Sequence, residues 1–291
     1  MRYKLSAPAT LHTTIQLPAS KSISNRALIL HALAQGHIAP SNLSDCDDTR
    51  VMIKALDGNP GHIDILAAGT AMRFLTAYLS VTPGTRIITG TERMQQRPIR
   101  ILVDALRELG AQIEYAGKEG FPPLRITGTE LTGEEISLAG NVSSQYISAL
   151  LMIGPILKNG LRLNLTGEII SRPYINLTLQ LMKEFGADAA WSSESSITVR
   201  PGKYRDIPFT VESDWSGASY WYQMVALIQD NEKKESTKTE IKLPGLLPRS
   251  YQGDSRGAEI FAKLGVHTTY TDQGVVLTKM GTPVTCLKED L

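Results

Sequence analysis

The sequence has few of the residues on which several common chemistries depend. Its two cysteines, Cys46 and Cys286, have no metal-ligand spacing, and its five histidines are scattered, so neither a zinc site nor a disulfide framework is expected. Free thiols of this kind fit a reducing cytoplasm. The formal net charge of +1 gives no basis for binding nucleic acid or a membrane through bulk charge. Any cations that matter for function must therefore be placed locally.

Long hydrophobic runs and several familiar motifs are also missing. The longest apolar run, residues 147–157, includes Gly154 and Pro155 and is too short to cross a bilayer, and residues 1–8 lack the apolar core of a signal peptide. No G-x-G-x-x-G loop, Walker loop or G-x-S-x-G elbow occurs. We therefore expect a soluble cytoplasmic protein without a dinucleotide loop, a P-loop or a hydrolase elbow.

What the sequence does contain is a cluster of cations and hydroxyls at a predicted helix start. Residues 20–26, Ser-Lys-Ser-Ile-Ser-Asn-Arg, run directly into the apolar residues 27–30. The free N–H groups of a first turn, the helix dipole and the charges of Lys21 and Arg26 favour an anion at this position. We expect a small phosphorylated ligand, although an ordinary N-cap at Ser20 beside solvated cations would produce the same pattern.

An internal repeat organises the rest of the chain. Residues 97–111 align with residues 172–187, and each segment is typical of an amphipathic helix with proline in its first turn and a glycine stop. Further copies cover 254–266 and, more weakly, 47–58. A more apolar helix precedes each copy, with small polar starts at 20–22, 68–70, 143–145 and 213–219. Helices that are apolar most of the way round belong inside a domain.

The repeats divide the chain into four units, roughly 20–66, 67–140, 141–211 and 212–291. Strands are predicted at 85–89, 112–115, 124–127, 161–165, 188–191, 196–199, 267–270 and 274–277, and a solvated loop at 230–240. Three similar units can close a domain around one core. We therefore expect an α/β (α+β) fold with a complete lobe over 16–211 and a partial lobe formed by 1–15 and 212–291. Because the fourth unit would lack partners for its apolar helix, we interpret the sequence as shortened at its C-terminus.

If the buried helices point their starts at one place, the polar groups at those starts line one cleft. That cleft would contain Lys21, Ser22, Arg26, Gly69, Thr70, Ser143, Ser144, Gln145 and Ser171. Arg97, at a helix start beside Pro98, is a candidate for a second anion because a guanidinium binds phosphate or carboxylate with two prongs. Gly69 would let a ligand approach the backbone closely.

Other interpretations of these residues remain open. Ser143, Ser171 and Thr70 could be plain N-caps. For Arg73, inside an apolar helix, we expect a buried structural ion pair rather than a ligand contact. Lys21 is the candidate for proton transfer, because crowding by Arg26 and Arg97 would help its ammonium group to lose a proton.

Several stretches resemble the 5-enolpyruvylshikimate-3-phosphate synthase family. They are residues 17–26, 68–73, 93–99, 142–152, 171–175 and 252–254, in the family's order along the whole chain. The related family that transfers enolpyruvate to UDP-N-acetylglucosamine shares the fold but lacks the Ser-Lys-Ser-x-Ser-Asn-Arg pattern. The resemblance implies an enolpyruvyl-transferase fold of two lobes, each built of three βαβαββ units.

The resemblance also implies an activity. The enolpyruvyl group of phosphoenolpyruvate would pass to the 5-hydroxyl of shikimate 3-phosphate with release of phosphate, the step before chorismate in aromatic amino acid biosynthesis. It implies no metal or organic cofactor, small-molecule partners only, a monomer when complete, and competition by glyphosate for the phosphoenolpyruvate site. The alternatives are a non-catalytic module that binds a phosphorylated metabolite and the UDP-N-acetylglucosamine enolpyruvyl transferase.

Family roles carry over residue by residue. Shikimate 3-phosphate would be bound by Lys21, Ser22, Arg26, Ser143, Ser144, Gln145 and Ser171, with Tyr174 near its phosphate. Phosphoenolpyruvate would be bound by Lys21, Gly69, Arg97 and Gln145, and Lys21 would also be catalytic.

The sequence departs from the family pattern at two positions beside the phosphoenolpyruvate pocket and at its end. Ala67 and Phe74 stand where the family commonly has Asn and Pro. The family's acidic proton acceptor, a further glutamate, and the arginines and lysine that complete the phosphoenolpyruvate site follow the stretch matching 252–254. Residues 280–291 do not supply them. We therefore expect this chain to bind substrate but to lack catalysis on its own.

Overall fold

The computed structural model describes residues 11–58, 60–228, 239–280 and 287–288. The chain divides into two compact units: unit 1 comprises Met1–Ser20 with Glu212–Leu291, and unit 2 comprises Lys21–Val211. Residues 16–20, which we expected in the larger lobe, belong to unit 1. The reason is local pairing, because Ala19 forms a β-bridge with Ser213 and the Ser20 N–H donates to the Glu212 carbonyl oxygen at 2.9 Å.

The helices and strands are as follows. The helices are α1 (Lys21–Leu33), α2 (Asp47–Leu56), α3 (Gly69–Ser80), α4 (Glu92–Gln95), α5 (Arg100–Glu108), α6 (Ser144–Ile153), α7 (Arg172–Glu184), α8 (Trp215–Leu227) and α9 (Gly257–Lys263). The strands are β1 (His12–Thr14), β2 (His62–Asp64), β3 (Gly84–Thr89), β4 (Gln112–Tyr115), β5 (Leu124–Gly128), β6 (Glu135–Ala139), β7 (Leu161–Thr166), β8 (Ala189–Trp191), β9 (Ser196–Val199), β10 (Glu240–Pro244), β11 (Val266–Thr271) and β12 (Gly274–Lys279).

These strands form four-stranded sheets that share one topology. The strand orders are β1-β10-β12-β11 in unit 1, and β2-β3-β5-β4 and β6-β7-β9-β8 in unit 2. In each sheet the first two strands are parallel and the others pair antiparallel. Each sheet is therefore a βαβαββ repeat, as predicted. In unit 1 the whole of unit 2 is inserted between β1 and α8.

Residues 21–58 depart from this pattern. They contain α1 and α2, but their described part contributes only an isolated bridge from Ser41 to Thr210 and no strand of these sheets. Across its described residues, this segment therefore supplies two helices but no strand to the unit predicted at 20–66, whose one strand in these sheets is β2. Backbone polar groups of residues 21–58 form hydrogen bonds instead with residues near 206–211. The Asp206 carboxylate, for example, accepts the N–H groups of His37 and Ile38 at 2.7 and 3.2 Å.

Other boundaries also differ from the predictions. Strands β1, β2, β6 and β10 were not predicted, although β6 shows the exposed and buried alternation of a half-buried strand. Glu240 begins β10 rather than ending a loop, and residues 229–238 lie outside the described part. Pro98 precedes α5 instead of lying in its first turn, because the Arg97 N–H closes a turn on the Met94 carbonyl oxygen after α4.

The core of unit 2 is built from the apolar helices that the sequence predicts to be internal. Helix α3 is buried along almost its whole length, and α6 is buried from Tyr146 to Ile153. In unit 1, α8 buries one face through Trp215, Tyr222 and Val225, while Tyr220 and Leu227 on the other face are 67% and 73% exposed. Within the part of the chain that the structure describes, no helix is both long and apolar enough to span a membrane.

Candidate anion-binding site

The side chain of Arg26 lies where four helices of unit 2 meet. Its Nη1 donates to the Ser22 carbonyl oxygen in α1 at 2.9 Å. Its Nη2 donates to Ser148 Oγ in α6 at 2.9 Å, and its Nε donates to Thr178 Oγ1 in α7 at 2.8 Å. On α3, the centre of the Phe74 ring lies 5.2 Å from the Arg26 Cζ. One guanidinium therefore contacts α1, α3, α6 and α7.

Arg26 is a buried cation whose hydrogen-bond partners are neutral. Its side chain is only 3% exposed, and no ion pair to it forms among the residues that the structure describes. Burial lowers the pKa of Arg26 to about 10, an effect that Tyr174 partly offsets, so the group stays charged at neutral pH. A buried charge without an opposite charge is costly, and an anionic ligand would relieve that cost.

The first turns of α3 and α6 are joined by side-chain contacts. Gln145 Nε2 donates to Thr70 Oγ1 at 3.2 Å, and the Thr70 N–H donates to Asp48 Oδ1 at 3.2 Å. Ser143 is the N-cap of α6, since its Oγ accepts the Gln145 N–H at 3.4 Å. The ordinary capping role holds for Ser143. It does not hold for Thr70, which lies inside α3.

Arg97 packs directly on the start of α3. A Cβ atom added to Gly69 would lie 2.6 Å from Arg97 Nη1, so any other residue here would require this guanidinium to shift. We expected a ligand to approach the backbone at Gly69, whereas Arg97 occupies that space. The Tyr146 hydroxyl donates to the Pro98 carbonyl oxygen at 2.8 Å and ties the loop that carries Arg97 to α6. Arg97, Gly69, Thr70 and Gln145 thus form a continuous set of contacts.

A cavity of about 480 Å³ opens beside this set and is lined by Ala67, Arg93, Met94 and Arg97. Its volume lies in the range of small-molecule pockets. Two guanidinium groups in the lining favour an anionic occupant. The methyl group of Ala67 offers no hydrogen bond to that occupant.

Arg73 lies beneath this cavity, and the expectation of an ion pair for it is wrong. Its Nη1 donates to the Gly69 carbonyl oxygen at 3.0 Å and to Met94 Sδ at 3.9 Å, and its Cζ lies 5.7 Å from the centre of the Tyr146 ring. No carboxylate lies within ion-pair distance of it among the described residues. Burial lowers the pKa of Arg73, and the neighbouring Arg97 adds to that lowering.

The remaining predicted site residues lie at the starts of α1, α6 and α7. Lys21 and Ser22 open α1, with the Lys21 side chain exposed, and Ser144 opens α6. Ser171 is the N-cap residue of α7 but makes no capping hydrogen bond through its side chain. It lies seven residues before Thr178, about 10 Å along the helix from the Arg26 contact.

Within the described part of the chain, hydrogen bonds join the predicted site residues in two groups: Arg26 with Ser22, and Gln145 with Ser143 and Thr70. No hydrogen bond joins the side chains of Lys21 or Ser171 to this group within the described part of the chain. Lys21 and Ser171 are assigned to the site only because they stand at the starts of α1 and α7.

Comparison with known proteins decides the family. The family model for EPSP synthase (3-phosphoshikimate 1-carboxyvinyltransferase) matches residues 5–58 and 59–291. The chain belongs to this family. The match does not favour the UDP-N-acetylglucosamine enolpyruvyl transferase alternative or the simple binding module.

Individual relatives agree with the family match. The 3-phosphoshikimate 1-carboxyvinyltransferase of Bacteroides fragilis is 70% identical over 290 residues, which cover 100% of this chain and 69% of that protein. The enzyme of the same name from Shewanella halifaxensis is 38% identical, and the match covers 90% of this chain and 66% of that protein. An EPSP synthase structure from Acinetobacter baumannii has the same fold, with a TM-score of 0.76 at 20% identity over 94% of this chain and 65% of that chain.

Unit 1 contains the last stretch that resembles the EPSP synthase family, residues 252–254. Gln252 holds the start of α8, because its Oε1 accepts the Trp215 N–H at 3.1 Å and its Nε2 donates to the Ser213 carbonyl oxygen at 2.9 Å. Asp254 accepts a hydrogen bond from the Ser216 hydroxyl. In unit 1, this stretch is therefore a support for the N-terminus of α8.

Sequence reasoning missed the residues that hold Arg26 and Thr70. Ser148 and Thr178 are fully buried hydroxyls in otherwise apolar helix faces, and Asp48 binds the first turn of α3 from α2. The available signal was a hydroxyl inside an apolar run, since a buried polar group needs a partner. That signal does not say which partner. No cluster of three or more potential metal ligands occurs among the described residues.

Proposed function

We propose that this chain forms the shikimate 3-phosphate-binding part of an enolpyruvyl transferase. In the reaction, the enolpyruvyl group of phosphoenolpyruvate passes to the 5-hydroxyl of shikimate 3-phosphate and phosphate leaves. Family membership supports the reaction class. The observation within this chain that carries the proposal is Arg26, a buried cation with neutral partners at the junction of four helices.

Shikimate 3-phosphate is assigned to the region where α1, α6 and α7 begin. Arg26 supplies a desolvated positive charge, which interacts with an anion more strongly than an exposed one does. The hydroxyl and N–H groups of Ser143, Ser144 and Ser171 suit phosphate oxygens, and the α6 and α7 helix dipoles favour the same charge. Lys21, Ser22 and Gln145 complete the proposed set; Gln145 is already oriented by Thr70.

Phosphoenolpyruvate is assigned to the neighbouring cavity. Arg97 lines that cavity while it packs on Gly69. Gln145 and Lys21 are proposed to contact both substrates. In the addition step a proton joins the methylene carbon of phosphoenolpyruvate as the 5-hydroxyl gives up its proton and its oxygen bonds to the adjacent carbon. In the elimination step a proton leaves the new methyl group as phosphate departs. Lys21 is the residue of this chain proposed to take part in proton transfer.

The chain spans about 69% of the length of its Bacteroides fragilis relative. We propose that turnover requires groups from the part of such relatives that has no counterpart in these 291 residues. We further propose that the partners are small molecules rather than nucleic acid, that the assembled enzyme is monomeric and cytoplasmic, and that glyphosate competes at the phosphoenolpyruvate site.

Titration calorimetry of the 291-residue chain with shikimate 3-phosphate tests the proposal. We expect saturable binding, weakened at least tenfold in Lys21→Ala, whereas Lys118→Ala on the same unit leaves the Kd unchanged. Turnover is measured in parallel, and none is expected from the chain alone. No binding, equal binding by Lys21→Ala, or appreciable turnover by the chain alone would each contradict the assignment.

A further inference from the structure

Phe74 lies against the cation on which the proposed substrate site depends. Its ring is 1% exposed, and the ring centre is 5.2 Å from the Arg26 Cζ, within the range of a cation–π contact. Phe74 belongs to α3, whereas the three hydrogen-bond acceptors of Arg26 belong to α1, α6 and α7. The ring is therefore the contribution of α3 to the environment of this guanidinium.

Arg26 is contacted by three hydrogen-bond acceptors and by one aromatic ring. Hydrogen bonds to Ser22, Ser148 and Thr178 occupy three of its five N–H groups, and N–H groups lie in the plane of the group. The Cζ atom lies over the Phe74 ring, so the face of the ring is turned to the guanidinium. An aromatic face attracts a cation through its quadrupole and, unlike a hydroxyl, occupies none of the N–H groups.

We propose that Phe74 is a positioning residue for shikimate 3-phosphate, because its ring face packs against the Arg26 guanidinium and keeps water from that side of it. The N–H groups that remain are then directed to the ligand from a dry site. The inference rests on the proposed function, since it takes Arg26 to be a substrate-binding group. A preorganised, desolvated cation binds an anion more tightly than one that must first be ordered and dehydrated.

Replacing Phe74 by a smaller residue would leave a cavity in a buried helix, and a loss of binding would then have two explanations. Site-specific incorporation of mono-, di- and trifluorophenylalanine at position 74 avoids this problem. Fluorine withdraws electron density from the ring face with little change in shape, so it weakens the attraction to the cation and leaves the packing in place. The matched control is the same series at Phe185, which is also 1% exposed and whose ring packs against Phe209 at 5.5 Å.

The Kd for shikimate 3-phosphate is measured by calorimetry for both series, and the unfolding midpoint is recorded for each protein. We expect the Kd to rise stepwise with fluorine number at position 74, by about fivefold to tenfold for the trifluoro ring, and to stay within about twofold at position 185. The unfolding midpoints should change little. A ring with a purely structural role would leave the Kd constant in both series.

The outcomes separate the two proposals. If the unsubstituted chain binds shikimate 3-phosphate and the Kd is indifferent to fluorine at position 74, or falls, the role of Phe74 is refuted and the proposed function stands. If both series weaken binding equally, the effect is general and the role of Phe74 is again refuted. If the unsubstituted chain does not bind shikimate 3-phosphate, the proposed function fails and this inference fails with it.

Discussion

Replacing Arg26 by methionine should separate the stability of unit 2 from its ability to bind an anion. Burial lowers the pKa of Arg26 to about 10, which corresponds to roughly 3 kcal/mol of destabilisation of the charged form in the folded state. Methionine fills a similar space without charge. Ser148 and Thr178 remain hydrogen-bonded after the change, because their hydroxyls lie 2.9 Å apart and Thr178 also donates to the Tyr174 carbonyl oxygen.

Two effects oppose each other in this variant. Removing the buried charge raises the free energy of unfolding by about 3 kcal/mol. The loss of the hydrogen bonds and of the contact with Phe74 lowers it again by part of that amount. We expect Arg26→Met to unfold with a free energy equal to the parent value or up to about 2 kcal/mol higher. Binding of shikimate 3-phosphate should fall by at least about a hundredfold, since a desolvated cation is removed from the proposed site.

Hydrogen exchange of the α3 and α6 amides reports the opening of unit 2 without interference from unit 1, and calorimetry reports binding. Arg26→Ala serves as the comparison variant, because it leaves a cavity and its free energy of unfolding should fall by about 2 to 5 kcal/mol. The reasoning is refuted if Arg26→Met is less stable than the parent by more than about 1 kcal/mol, or if it binds shikimate 3-phosphate as the parent does.

Three further predictions concern single side chains. Gly69→Ala should displace the Arg97 guanidinium by about 0.8 Å, which would lengthen the contact between the new Cβ and Arg97 Nη1 from 2.6 Å to an ordinary 3.4 Å. We expect phosphoenolpyruvate to bind about tenfold more weakly in a titration and the thermal unfolding midpoint to stay the same. Thr178→Val should destabilise unit 2 by about 1 to 3 kcal/mol, because it leaves the Arg26 Nε–H without its acceptor, and should cost less when Arg26 is already methionine. Burial raises the pKa of Glu212, so ionisation of that carboxyl destabilises unit 1 as pH rises. In urea unfolding, the free energy of unfolding of Glu212→Gln should equal that of the parent near pH 4 and exceed it at pH 7.

Each of these has a result that would contradict it. An Arg97 side chain that stays in place in a structure of Gly69→Ala would remove the steric argument. Equal losses from Thr178→Val in both backgrounds would show that the hydroxyl does not act through Arg26. A stability difference between Glu212→Gln and the parent that is the same at pH 4 and pH 7 would show that the buried carboxyl does not titrate in this range.

Much of the architecture could be read from local sequence signals. The apolar helices α3 and α6 and the strands β4, β5 and β9 follow from hydrophobic periodicity and glycine stops. The repeat indicated that the units share one order of elements, and the family resemblance implied their βαβαββ topology. Short strands such as β2 were not predicted because three residues carry almost no periodicity. Residues 20–66 were counted as a repeat unit because their two helices resemble those of the other copies.

The sequence by itself determined where the helices of the candidate site begin and which polar residues stand at those beginnings, because helix starts depend on neighbouring residues. Only the tertiary structure decided what those residues contact. Arg26 meets Ser148 and Thr178 across 122 and 152 residues of chain, and no local preference encodes such a pairing. Gly69 is small because Arg97 lies against it, and Arg73 is held by a carbonyl oxygen, a sulfur and a ring where a carboxylate was expected. Packing alone brings these groups within bonding distance.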